Sequence, residues 1–164
     1  MSIALFVLSL VAQTNPRQVD HSRFGAYFMN FSTVWQGVYG GSAPKDIIVM
    51  RNSVQWDKLR SQIGLTDDEN KKMYELHGSL GAMDWTTEQL VFLRSGTERT
   101  GGYSAKAQKV LYFRTTQSWK VTLLVTPPPK DALTTDALTN PFVVIRTRRT
   151  QSDPTVEIVR AKPK

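Results

Sequence analysis

The chain has 164 residues, 40% of them hydrophobic, and a formal net charge of +7, which is enough chain for one sizeable core and one domain. It contains no cysteine, excluding disulfides, thiolate metal sites, cysteine nucleophiles and a lipidated cysteine; its two histidines, His21 and His77, stand far apart in unrelated contexts and give a metal site or a histidine relay little material. The charge runs from −4 over residues 64–90 to +5 over residues 91–126, yet no Lys/Arg block with interleaved aromatics is present of the kind that tracks single strands, so nucleic acid is not the expected partner.

Residues Ile3 to Ala12 form an almost unbroken apolar run followed by Gln13-Thr14-Asn15-Pro16. Length and position are those of a signal-peptide h-region ending at Ala12, although no Lys or Arg precedes it and Leu10 is a poor residue three positions before the cut. The run is too short for a transmembrane helix, which needs about 20 apolar residues. The expectation is a signal peptide at 1–12 and an exported product, periplasmic, envelope-associated or secreted, with no transmembrane span in the mature chain. The alternatives are a buried amino-terminal strand or a start assigned too far downstream.

The segment Phe24 to Tyr39 is rich in Phe, Tyr, Val and Trp and closes on Gly40-Gly41-Ser42-Ala43-Pro44, which predicts one or two strands ended by a turn. Asp46 to Arg51 is a short apolar run with the pattern of a central strand buried on both faces. Ser53 then reads as an N-cap, and Val54, Trp56, Leu59 and Ile63 follow at helical spacing before Gly64, predicting a short amphipathic helix. Thr66-Asp67-Asp68-Glu69 has the form of a capping box for a second helix to about Leu76; its acids are explained by the helix dipole before any cation site is needed.

From Gln89 onward the pattern changes to short β-type runs: Gln89 to Arg94, Tyr103 to Arg114, Trp119 to Thr126, Phe142 to Arg149 and, more weakly, Thr155 to Arg160. In the second, Tyr103, Ala105 and Ala107 share one parity while Val110 and Tyr112 take the other, so a β-bulge is expected near Gln108-Lys109. The fold expected is α+β, mainly an antiparallel β-sheet or sandwich with one or two short helices packed on it. One β-rich domain spans 24–149, followed by a basic tail at 150–164.

No P-loop, HExxH, G-x-S-x-G, Rossmann glycine pattern or EF-hand loop is present, so no catalytic residue, metal ligand or cofactor is assigned. Two other features stand out. Gly96 to Ser104 is a turn-forming segment in which Gly101 and Gly102 precede Tyr103; it reads either as a hairpin turn with a core tyrosine or as a binding loop. Pro127-Pro128-Pro129 opens the loop that Pro141 closes, a stiff entry that suits either a recognition surface or a guard against edge-to-edge aggregation.

Taken together, these features resemble the C-terminal domain of the protease complex subunit PrcB family. The resemblance covers about Met83 to Arg149: Asp84-Trp85 ahead of Leu90-Val91-Phe92-Leu93, then Gly96, Thr100-Gly101-Gly102-Tyr103-Ser104, the three prolines, and Leu138-Thr139-Asn140-Pro141-Phe142-Val143-Val144. Phe142 stands where the family pattern leads one to expect tyrosine. The resemblance implies a secreted or envelope-associated bacterial protein that assists a protease without being one. A TGY-type loop is also similar to the inhibitory loop of chagasin-like protease inhibitors. The expected function is non-catalytic binding of a protein, an exported protease in the leading reading, with direct protease inhibition and polyanion or nucleic-acid binding as alternatives. The expected partner surface is Arg99, Thr100, Gly101, Gly102, Tyr103 and Ser104 together with Pro127, Pro128, Pro129 and Pro141, with Tyr103 as anchor.

Overall fold

A computed structural model describes residues 25–39, 41, 46–64, 83–134 and 136–162. The amino-terminal run, the capping box at Thr66 and the second helix expected after it lie outside these residues. Eight strands and one helix are described, in the order β1 (Ala26–Phe28), β2 (Phe31–Gly37), β3 (Ile47–Met50), α1 (Ser53–Gln62), β4 (Glu88–Arg94), β5 (Ser104–Phe113), β6 (Ser118–Thr126), β7 (Phe142–Arg148) and β8 (Thr155–Arg160). They form two four-stranded sheets, one ordered β1-β5-β6-β8 and the other β2-β7-β4-β3. All pairings are antiparallel except β6 with β8, and the expected α+β class, a mainly antiparallel sandwich with a short helix, is the observed one.

Alternation along β6 explains how the sheets meet. Trp119, Val121, Leu123 and Val125 are fully buried because a strand points alternate side chains to one face; the first three pack with Ala105, Ala107 and Val110 of β5 against Val91, Leu93, Val143 and Ile145 of the second sheet. The bulge in β5 falls between Ala107 and Lys109, where the change of parity places it, and keeps Val110 in this core. The second sheet is buried on both faces. Leu90, Phe92, Phe142 and Val144 point the other way, into a cluster with Trp56, Leu59 and Ile63 of the helical segment. The continuous apolar runs Leu90-Val91-Phe92-Leu93 and Phe142-Val143-Val144-Ile145 are therefore the central strands of a three-layer arrangement.

Two details correct the sequence reading. The central position expected for Asp46 to Arg51 belongs to β4 and β7; among the described residues β3 pairs with β4 alone and stands at the sheet's edge, with Ile47, Ile48 and Val49 half-buried. The helix is capped by Asn52, whose side chain accepts from the Gln55 amide at 2.9 Å, so Ser53 is its first residue. An extended residue with a short acceptor side chain is what the cap requires, and Asn52 and Ser53 offer adjacent candidates. The span Phe24 to Tyr39 forms two strands that lie in different sheets, the chain crossing between them at Met29 and Asn30.

Candidate functional site

The loops flagged in the sequence are both crossovers between the sheets. Residues 95–103 leave β4 in one sheet and enter β5 in the other; residues 127–141 leave β6 and return to β7. The first is therefore not a hairpin turn, since the strands it joins do not pair. β4 ends beside the start of β7, with Arg94 opposite Phe142, and β5 begins beside the end of β6, with Ser104 opposite Thr126. Both crossovers consequently leave from the same end of the sandwich.

They are tied together by a short ladder. Glu98 and Thr139 form an isolated antiparallel bridge in which each amide donates to the other's carbonyl, at 2.8 and 3.0 Å. The Thr139 hydroxyl, fully buried, donates to the Thr100 carbonyl at 2.9 Å, and the Thr97 hydroxyl donates to Asn140 Oδ1 at 2.8 Å. Below them the Ser95 amide donates to the Pro141 carbonyl at 3.0 Å. Gly102, with φ +83°, brings its backbone so close to the proline run that an added Cβ would lie 2.9 Å from Pro128 Cβ. Positive φ and this approach both call for glycine.

The surface residues differ in availability. Arg99, Gly102, Ser104 and Pro129 are exposed; Thr100, Tyr103, Pro127 and Pro128 are half-buried; Gly101 and Pro141 are buried and lie within the framework under the loops. Sequence reasoning missed the apolar side chains displayed around them. Leu133 is fully exposed, Leu138 is 65% exposed and Tyr39 is 56% exposed. Tyr39 forms a bridge with Asn140, and the Asn140 amide donates to the Val38 carbonyl at 2.9 Å, so the end of β2 joins the cluster. The signal for the two leucines is the repeated Asp-Ala-Leu-Thr at 131–134 and 136–139, in a loop between prolines where no strand or helix periodicity calls for an apolar side chain.

Charge holds the cluster from the side. Arg160 at the end of β8 pairs with Glu98 at 2.7 Å, and the Glu98 side chain is only 10% exposed. Among the described residues no group of three or more His, Asp or Glu is placed to hold a metal ion, and no helix is long and apolar enough to cross a membrane.

Residues 90–148 match the family model described as PrcB C-terminal. The match runs from Leu90 in β4 to Arg148 at the end of β7, inside the stretch whose motifs carry the resemblance, and it contains both crossover loops. Over that span the chain is similar to PrcB C-terminal domains; the amino-terminal strands, α1 and β8 lie outside it. No curated protein and no solved structure matches the chain.

Proposed function

We propose that the protein is a non-catalytic binding module that serves as an accessory or stabilising subunit of an exported protease, and that its crossover loops form the docking surface. The observation that carries this reading is the Glu98–Thr139 bridge, which joins the glycine loop to the proline loop while Leu133, Leu138 and Tyr39 remain exposed around it. A surface whose backbone is already ordered loses little entropy on association, and exposed aromatic and aliphatic side chains gain most when a partner removes them from water. The PrcB C-terminal match supports the accessory role, and the apolar run at residues 3–12 supports export.

The test is a pull-down from the envelope and culture fluid of the native host with the chain, its Tyr103→Ala variant and a Leu133→Ser/Leu138→Ser variant, each shown to be folded. A caseinolytic protease recovered active by the parent and lost by the loop variants supports the reading. Recovery of an inactive protease whose activity returns on dissociation favours an inhibitor instead. Capture that collapses with modest salt favours a polyanion binder. Protease recovery unchanged in both variants removes the loops from the interface.

A further inference from the structure

On one side of the sandwich the chain changes sheets and leaves an opening. β1 pairs with β5 only across Leu111 to Phe113, and the last bond between them is from the Met29 amide to the Val110 carbonyl at 2.9 Å. The chain then departs as β2, the edge of the other sheet. Among the described residues, Ser104 to Lys109 of β5 therefore pair with β6 alone. Both bordering strands are bulged here, β2 between Thr33 and Trp35 and β5 between Ala107 and Lys109, and bulges bend strands away from the ladder. A cleft of about 700 Å³ results, with Phe31 and Thr33 on the β2 side and residues 106–109 on the β5 side. Its lining contains two lysines, Lys106 and Lys109, and no acid. Both lysines are exposed, and Ala107 between them turns into the core.

We propose that this cleft receives an extended acidic segment of a partner protein, added as a strand to the β5 edge. An open edge supplies main-chain donors and acceptors to any extended peptide, and selectivity comes from what alternate side chains meet. Here one set faces Phe31 and Ala107, which suits apolar residues, while the other faces Lys106 and Lys109, which suits carboxylates. Lysines on an open edge also turn away a second copy of this chain, whose own charge is +7. The proposal extends beyond the loop cluster and uses none of Tyr103, Leu133 or Leu138.

The probe is a fluorescein-labelled heptapeptide alternating glutamate and valine, titrated against the full chain at low salt by fluorescence anisotropy. A second peptide carries N-methyl groups on alternate residues, and a third has lysine for glutamate. The acidic peptide is expected to bind, the lysine peptide not to bind, and binding to weaken about ten-fold both for Lys106→Glu/Lys109→Glu and for the N-methylated peptide. No binding, equal binding by the charge-reversed variant, or equal binding of the N-methylated peptide overturns the proposal, the last because it leaves charge attraction without strand addition. Loss of binding in folded Leu133→Ser/Leu138→Ser moves the peptide to the loops and also overturns it. A concentration-dependent dimer abolished by the lysine reversals, or exchange throughout 104–109 of the free chain as slow as that of 121–125, assigns the cleft to this chain itself and has the same effect.

Discussion

Arg160, in the last strand, reaches across the sandwich edge to Glu98 at 2.7 Å, so a residue outside the family match holds the base of a loop inside it. The Glu98 side chain is almost fully covered whereas Arg160 is half exposed, which makes the two halves of the pair unequal. Replacing Arg160 with Met leaves a covered carboxylate without its guanidinium, and the expected loss is about 1–3 kcal/mol. Glu98→Gln/Arg160→Met removes both charges and is expected to recover most of it. Urea unfolding of the parent, the single variant and the double variant checks this; equal stability of all three would show that the pair contributes nothing.

Gly102→Ala is expected to cost about 1–3 kcal/mol, since a side chain at positive φ is strained and its Cβ would press on Pro128. Pro128 is a ring within a run of three prolines and cannot yield as the end of a flexible side chain could. The expected signature is local. Protection of the Glu98 and Thr139 amides in hydrogen exchange falls more than that of Val121 to Val125, because the substitution drives the two loops apart before it reaches the core.

The strands of this fold were legible in the sequence to the extent that their side-chain periods were clean. Val121, Leu123 and Val125 gave the inner face of β6, and the parity change after Ala107 gave the bulge. At Asp46 to Arg51 the structure departs from the expected central strand for a physical reason: a short apolar run is equally consistent with burial between layers and with an edge strand that packs on a neighbour. Length gave no warning, because the true central strands β4 and β7 carry apolar runs just as short. The crossover character of the two loops was not legible, because it depends on which sheet each strand joins, and that is decided by contacts between residues far apart in the chain. The pairing of Glu98 with Thr139 is hidden for the same reason: each lies in a segment with its own sequence pattern, and nothing local to either one points to the other.

The turn before β4 makes stability depend on acid. Asp84 accepts from the hydroxyls of Thr86 and Thr87 and from the Thr86 amide, and these bonds, the Thr86 hydroxyl first, hold its carboxyl below the usual aspartate range. A carboxyl whose folded value is lowered favours the folded state fully above its unfolded value and loses that contribution as pH falls through the folded one. The stability difference between the parent and Asp84→Asn is therefore expected to be constant near neutrality and to shrink as pH drops from the ordinary aspartate range to below it. Thermal melts at a series of acidic pH values check this; a difference that persists unchanged to the lowest pH would remove ionisation as its source.

Gly37 and Phe142 offer the sharpest test of packing behind the loop cluster. They are paired across β2 and β7, and a Cβ built on Gly37 would lie 2.6 Å from Phe142 Cε1 and 2.7 Å from Cζ. The ring has no free direction: it stacks on Phe92 at a centroid distance of 5.3 Å and meets Trp35 edge-on at 4.7 Å, and it is fully buried. Gly37→Ala is expected to cost about 2–3 kcal/mol through overpacking. Phe142→Leu alone is also destabilising because it vacates part of that space. Combined, the extra methyl occupies volume that the smaller side chain has released, so the double variant is expected to be more stable than the two single losses added together, by about 1 kcal/mol. Chemical denaturation of the four proteins closes the cycle, and strict additivity would mean that the ring and the glycine do not share the contact described.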